Sequence, residues 1–211
     1  RNADGLIDGA LEIDAADIST VAALFLVQGA GAVEADIALS HAQGTQVANI
    51  KGSARNLRID GNRIERAEIE AAVADLFGVP AIDGRLQAQG LTAGGVTVTT
   101  LEATAQTSGE ATRFDADATL DNGARARARG ALAPEGQGYR LSLEEASLGQ
   151  GPLVARLAQP ASLRVVGDTV AIDSLELDVG GGRVSARGSV AQNVDLAVTI
   201  ARLPLSIVNL V

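Results

Sequence analysis

Apolar and polar residues alternate along most of this chain with a period of two. From Phe114 to Leu120, Phe114, Ala116, Ala118 and Leu120 fall on one face, and Asp115, Asp117 and Thr119 on the other. After Asp121-Asn122-Gly123 the chain returns with Ala124, Ala126 and Ala128 set against Arg125, Arg127 and Arg129. Successive side chains of a strand point to opposite faces, so each such segment has one apolar and one wet side. The intervening Asp-Asn-Gly supplies the positive φ of a tight hairpin. Read this way, strands fall near Val33–Leu39, Val47–Gly52, Leu57–Asp60, Ile64–Ala74, Ile82–Ala88, Val96–Ala105, Phe114–Leu120, Ala124–Leu132, Tyr139–Leu143, Ser162–Val166, Val170–Val179, Arg183–Val190 and Val194–Ile200.

Turns are expected at Asp60-Gly61-Asn62, Gly94-Gly95, Pro134-Glu135-Gly136 and Gly180-Gly181-Gly182. Short strands joined by Gly-rich turns, without helix-length spacers, predict an all-β fold: a long, curved antiparallel meander forming one continuous segment over residues 1–211. Between Val98 and Leu101 the apolar parity switches, which predicts a β-bulge. Two segments break the alternation. Val21–Val27 is apolar on all sides and follows Asp17, a candidate helix N-cap. Leu203–Val211 has Pro204 where a first helical turn tolerates it. Each segment reads as a short helix, near 18–27 and 204–211, or as a fully buried strand; the helix is the favoured reading, and the two would be matching elements of a repeat about 185 residues long.

Composition sharpens this picture. Hydrophobic residues make up 46% of the chain, yet aromatics only 2%: Phe25, Phe77, Phe114 and Tyr139. The apolar face is thus aliphatic, suited to an ordinary core or to acyl chains. Net charge is −9. Nucleic-acid binding calls for a basic stripe with stacking aromatics, and the chain has neither. With no Cys, disulfides and thiol chemistry are excluded. No stretch reaches the ~18 apolar residues of a membrane-spanning helix. The chain opens Arg1-Asn2-Ala3-Asp4 without a signal peptide, as expected of a piece of a longer protein.

Candidate chemistry is sparse. His41 is the only histidine, in a polar run read as a surface loop. One His and no Cys fit zinc or copper poorly, so no metal and no cofactor are expected. The acid pairs Glu34/Asp36, Asp115/Asp117 and Glu176/Asp178 stand at i,i+2, which puts both members on the wet face of a strand. Gly29-Ala30-Gly31 lacks the lysine and the strand-to-helix setting of a phosphate loop. Ser53, Ser108 and Ser189 adjoin glycines but form no G-x-S-x-G elbow. The sequence argues against an enzyme.

Several stretches together resemble a known family: D-L-F-G-V-P-A-I-D-G-R-L from Asp75, G-G-V-T-V-T-T-L-E-A-T-A from Gly94, Q-P-A-S-L from Gln159, and L-E-L-D-V-G-G-G-R-V-S-A-R-G from Leu175, followed by D-L-A-V-T-I and L-P-L-S-I-V-N. From about Leu24 to Val211 the chain resembles the TamB family of translocation and assembly module subunits, in the AsmA-like, bridge-like lipid-transfer superfamily. The resemblance implies a β-taco, a long sheet folded lengthwise around an aliphatic groove. It implies a middle to C-terminal portion of a periplasmic protein that is anchored in the inner membrane and reaches toward the outer membrane. The implied partners are phospholipid acyl chains and, through other parts of the protein, the outer-membrane barrel of the module.

Three readings follow. The first is a hydrophobic-groove conduit for phospholipid transport between inner and outer membranes, contributing to outer-membrane biogenesis. The second is a scaffold or chaperone for outer-membrane protein (autotransporter) assembly and secretion by β-strand pairing. The third is a closed β-sandwich. The residues expected to line the groove are Val33, Ile37, Leu39, Leu57, Ile59, Ile69, Val73, Val96, Val98, Phe114, Leu120, Leu141, Leu143, Leu163, Val165, Val170, Ile172, Leu175, Leu177, Val184, Val194, Leu196, Val198 and Ile200.

Overall fold

A computed structural model describes residues 6–24, 27–42, 44–76, 80–191 and 194–202. The fold is all-β and antiparallel, as the alternation predicts. The chain divides into two compact units, one of Arg1–Thr107 with Ala118–Asp121, the other of Ser108–Asp117 with Asn122–Val211.

In the first unit, β1 (Gly9–Ala15) is followed by a six-residue helix, α1 (Ser19–Leu24), and then by β2 (Gly29–Ala42), β3 (Thr45–Ile59), β4 (Asn62–Ala74), β5 (Ala81–Ala93) and β6 (Val96–Ser108). Each strand pairs antiparallel with the next. The turn between β3 and β4 has both central residues left-handed, Asp60 at φ 48° and Gly61 at φ 83°. That is the type I′ geometry whose twist matches the flanking strands. Helix α1 starts as expected: Asp17 Oδ1 accepts a hydrogen bond from Ser19 N at 2.9 Å. Phe25, Leu26 and the expected element at 204–211 lie outside the described residues.

The strand β7 (Ala111–Leu120) gives its last residues, from Ala118, to the first unit, where Thr119 O accepts from Thr99 Oγ1. Its earlier residues open the second unit, which continues with β8 (Arg125–Glu135), β9 (Gly138–Gln150), β10 (Leu153–Leu157), β11 (Ala161–Val166), β12 (Thr169–Val179), β13 (Gly182–Val190) and β14 (Val194–Ala201). Strands β10 and β11 both lie between β9 and β12, one along each half, so they act as one strand broken at Ala158–Pro160.

Four expectations need correction. The segments Val47–Gly52 and Leu57–Asp60 are one strand, β3, which passes through Asn56 in a left-handed conformation (φ 49°). Strands β1 and β10 add to the expected set. Pro134 and Glu135 belong to β8, and the turn is Gly136-Gln137. His41 lies in β2 rather than in a loop.

Very little is fully buried. Among the described residues the buried apolar side chains are Ala48, Ala88, Ala124 and Ala161, and the one large buried side chain is Gln46. Cohesion rests on the strand ladders and on half-buried cross-strand pairs.

Candidate functional site: an apolar face carried through register shifts

Directly opposed residues of an antiparallel pair share a face. In the first unit this builds cross-strand rows. Leu11 faces Ile37, Ile37 faces Ile50, Ile50 faces Ala71 and Ala71 faces Gly84. The next rows are Ala35–Gly52–Ile69–Leu86–Ala103, Val33–Ala54–Ala67–Ala88–Leu101 and Leu39–Ala48–Val73–Ile82. Between them, Asp36, Lys51, Glu70 and Arg85 form a polar row on the opposite face.

Past Ala54 the apolar residues change parity: Leu57 and Ile59 in β3, Ile64 in β4, Leu91 in β5, Val98 and Val96 in β6. In β3 the register against β2 accounts for this, and the β3–β4, β4–β5 and β5–β6 registers run on unchanged beyond it. Between Ala32 facing Arg55 and Ala30 facing Arg58, β2 advances two residues and β3 three. β3 therefore carries one extra residue, a bulge in which Asn56 takes the left-handed conformation. Ile59 faces Gly29, which shares the parity of Val33 and Ile37 in β2. Leu57 faces Ile64, and Leu91 faces Val98. The extra residue thus returns the apolar side chains to the face they occupied before it. The bulge expected between Val98 and Leu101 is absent from the β5–β6 register, which runs on unchanged; the left-handed residue there is Gly90, at φ 60°.

The second unit repeats the arrangement. Arg129 faces Glu145 but Gly130 faces Leu143, so β9 has an extra residue at Glu144. Ile172 faces Gly188 and Leu175 faces Ala186, so β12 has one at Asp173–Ser174. Strands β8, β13 and β14 have none, and their parity is unbroken. The rows Leu132–Leu141–Leu163–Ile172–Gly188–Leu196 and Leu157–Leu177–Val184–Ile200 cross the unit, as do Tyr139–Val165–Val170–Val190–Val194 and Leu175–Ala186–Val198. Phe114 lies against Gly130, where a Cβ would sit 3.1 Å from its Cζ. Glu176 and Asp178 face Ser185 and Arg183, on the other side from Leu177.

Most of the expected lining residues fall in these rows; Leu143 faces Gly130 and Ala161, Val96 faces Ala93, Phe114 lies against Gly130, and Leu120 is the half-buried last residue of β7. The rows also contain residues not expected to line the groove: Leu11, Ile50, Ile82, Leu86, Leu101 and Leu132. The signal for them was present, since Ile50 stands between Asn49 and Lys51, and Leu86 between Arg85 and Gln87. Gln46 had no signal: it shares parity with Ala48 and Ile50 yet is polar.

Ion pairs join neighbouring strands across the polar face. Arg85 reaches Glu70 at 2.6 Å, Arg127 reaches Asp117 at 2.7 Å, Arg129 reaches Asp115 at 2.7 Å and Arg164 reaches Asp173 at 2.8 Å. Hydrogen bonds and charge from these carboxylates push Arg127, Arg129 and Arg164 above the ordinary arginine value. The Arg66 guanidinium holds Glu68 below the ordinary carboxylate value. His41 Nδ1 is 2.8 Å from Asp8 Oδ1 at an exposed position. Among the described residues no group of three or more His, Asp or Glu is placed to hold a metal ion. Depressions of about 740 and 520 Å³ cross the first unit; both are open to solvent and lined by polar and apolar rows alternately, such as Ile37 beside Asp36.

Comparison of the chain with protein-family models, with curated proteins and with solved structures gives no match.

Proposed function

We propose that the apolar face of each unit carries the acyl chains of phospholipid, and that the chain is part of a hydrophobic-groove conduit between the inner and outer membranes. The observation that carries this reading is a mismatch. Aliphatic residues are gathered on one face of every strand ladder, yet among the described residues no Leu, Ile, Val or Phe is fully buried. A closed sandwich would bury such a face against its partner sheet. A soluble surface rarely leaves contiguous apolar patches above a few hundred Å² uncovered. Hydrocarbon tails gain about 0.8 kcal/mol per buried CH₂ on such a surface. A face without fixed polar groups lets them slide rather than lock. The family resemblance supplies the periplasmic setting of this reading, with an inner-membrane anchor and an outer-membrane barrel partner contributed by other parts of the protein.

A second reading, strand pairing with client proteins, draws on β14. Each of its residues is exposed, with Val194 at 67% and Ile200 at 61%, and Asp195 is its one charged side chain. A mostly aliphatic exposed strand is a template for another strand.

Native mass spectrometry of the purified protein, with titration by phospholipid vesicles of a dye for exposed apolar surface, tests the proposal. Co-purified phospholipid, and dye fluorescence quenched by added lipid, are the expected results. A dark dye and a lipid-free protein overturn it. Backbone pairing with client peptides that is indifferent to lipid favours the second reading.

A further inference from the structure

We infer that Asn56 and Gly90 are positioning residues of the apolar face: they decide on which side of the sheet the residues beyond them stand. This rests on the lipid-carrying reading for its functional meaning, although the geometry stands without it. In β3 to β6 the apolar residues flanking this line are three apart: Ala54 and Leu57, Ala67 and Ile64, Ala88 and Leu91, Leu101 and Val98. In an unbroken strand an i,i+3 pair lies on opposite faces. Half the apolar set would then turn to the face that carries Arg58, Arg63 and Thr92. In β3 an extra residue, with Asn56 in the left-handed region, reverses that parity against β2; the registers from β3 to β6 then run on unchanged, and Gly90 is the left-handed residue of β5 on the same line.

Two features show that the line is built rather than incidental. The left-handed residues are Asn and Gly, the types that tolerate this conformation. The strands also close tightly around them. A Cβ on Gly31 would stand 2.6 Å from Asn56 O, and one on Gly90 would collide with Glu65 Cγ. The Asn56 backbone thus fills the space opposite Gly31, and the Glu65 side chain covers Gly90. Asn56 and Gly90 act through Leu57, Ile59, Leu91 and, across the strands, Ile64 and Val98.

The chain has no cysteine, so single reporters can be introduced without background. Leu57→Cys and Arg58→Cys are each placed in the wild-type chain, in Asn56→Gly and in Asn56→Val, and labelled with a water-soluble maleimide, with circular dichroism to verify the strands. Glycine keeps the left-handed conformation, whereas a β-branched residue resists it. In the wild-type background and in Asn56→Gly, the Arg58→Cys thiol is expected to label at least several-fold faster than the Leu57→Cys thiol. In Asn56→Val the ratio is expected to fall to unity or to invert while strand content is retained. Gly90→Val, read at Leu91→Cys and Thr92→Cys, serves as the second line should Asn56→Val fail to fold. Unchanged labelling ratios in folded variants of both lines overturn the inference. So does failure of the 57/58 difference in the wild-type background. Phospholipid loading is measured on the same proteins: if ratios invert while the wild type never carries lipid, the positioning role stands and the lipid reading falls.

Discussion

The side-chain amide of Gln46 takes the place of a strand partner for Ile7. Its Oε1 accepts from Ile7 N at 2.8 Å and its Nε2 donates to Ile7 O at 2.8 Å, while Nε2 also donates to Ser40 O at 2.7 Å. Gln46 is 2% exposed and its own carbonyl accepts from Leu76 N at 3.2 Å. One residue at the start of β3 therefore ties together the segment before β1, the end of β2 and the chain after β4.

This makes Gln46 the most consequential polar side chain of the first unit. Gln46→Leu leaves the Ile7 backbone groups and Ser40 O without that partner, and each hydrogen bond lost costs about 0.5–1.5 kcal/mol net. A loss of about 2–3 kcal/mol is expected in urea unfolding of the first unit. Gln46→Glu is expected to be worse, because a carboxylate cannot donate to Ile7 O or Ser40 O and would be buried as a charge. Equal stability of Gln46→Glu and wild type would show that the Ile7 link contributes nothing.

The strands were legible because the solvated face is charged so regularly. Glu176 and Asp178 fix the face of Leu177, and Arg127 and Arg129 that of Ala128, before any pairing is known. The extra residues were less legible. Gly52 looks like the end of one strand and Leu57 like the start of another, because a bulge and a loop leave the same broken parity. Only the partner strand, where two residues of β2 span three of β3, distinguishes them. The segment Leu153–Leu157 is too short to declare itself and is held in place by β9 and β12 on either side. The place of Gln46 depends on a contact 39 residues away, which no local pattern encodes.

Two carboxylates respond to acid in a defined sense. Asp17 is held below its usual 3.8, chiefly by the hydrogen bond from the Ser19 backbone and also by the Ser19 side chain. Glu68 is held below 4.5 by its hydrogen bond and charge interaction with Arg66. A depressed folded-state value stabilises the fold above the unfolded value, and that stability is lost as pH falls through the folded value. Carboxyl-carbon NMR titration is expected to give midpoints below 3.8 for Asp17 and below 4.5 for Glu68. Asp17→Asn is expected to abolish the acid-linked part of the α1 response, and Arg66→Gln to return Glu68 to its ordinary value. Midpoints at or above those reference values refute the assignments.

The last prediction separates an open face from a closed core by placing one charge at two depths. Val198 is 54% exposed and faces Ala186; Ala88 is 6% exposed and lies between Ala67 and Leu101. Ala88→Asp forces a carboxylate and extra volume into a tight, dry site, so a loss of several kcal/mol and unfolding of the first unit are expected. At position 198 the carboxylate keeps much of its water, and a change within about 1 kcal/mol is expected, with circular dichroism unaltered. The folded Val198→Asp protein would still present a polar barrier on the row Leu175–Ala186–Val198. Photocrosslinking to phospholipid from the neighbouring position Leu196 should therefore drop several-fold relative to the parent. Unfolding of Val198→Asp would mean that this row is covered by protein. Undiminished crosslinking in a folded variant would mean that acyl chains do not pass over it.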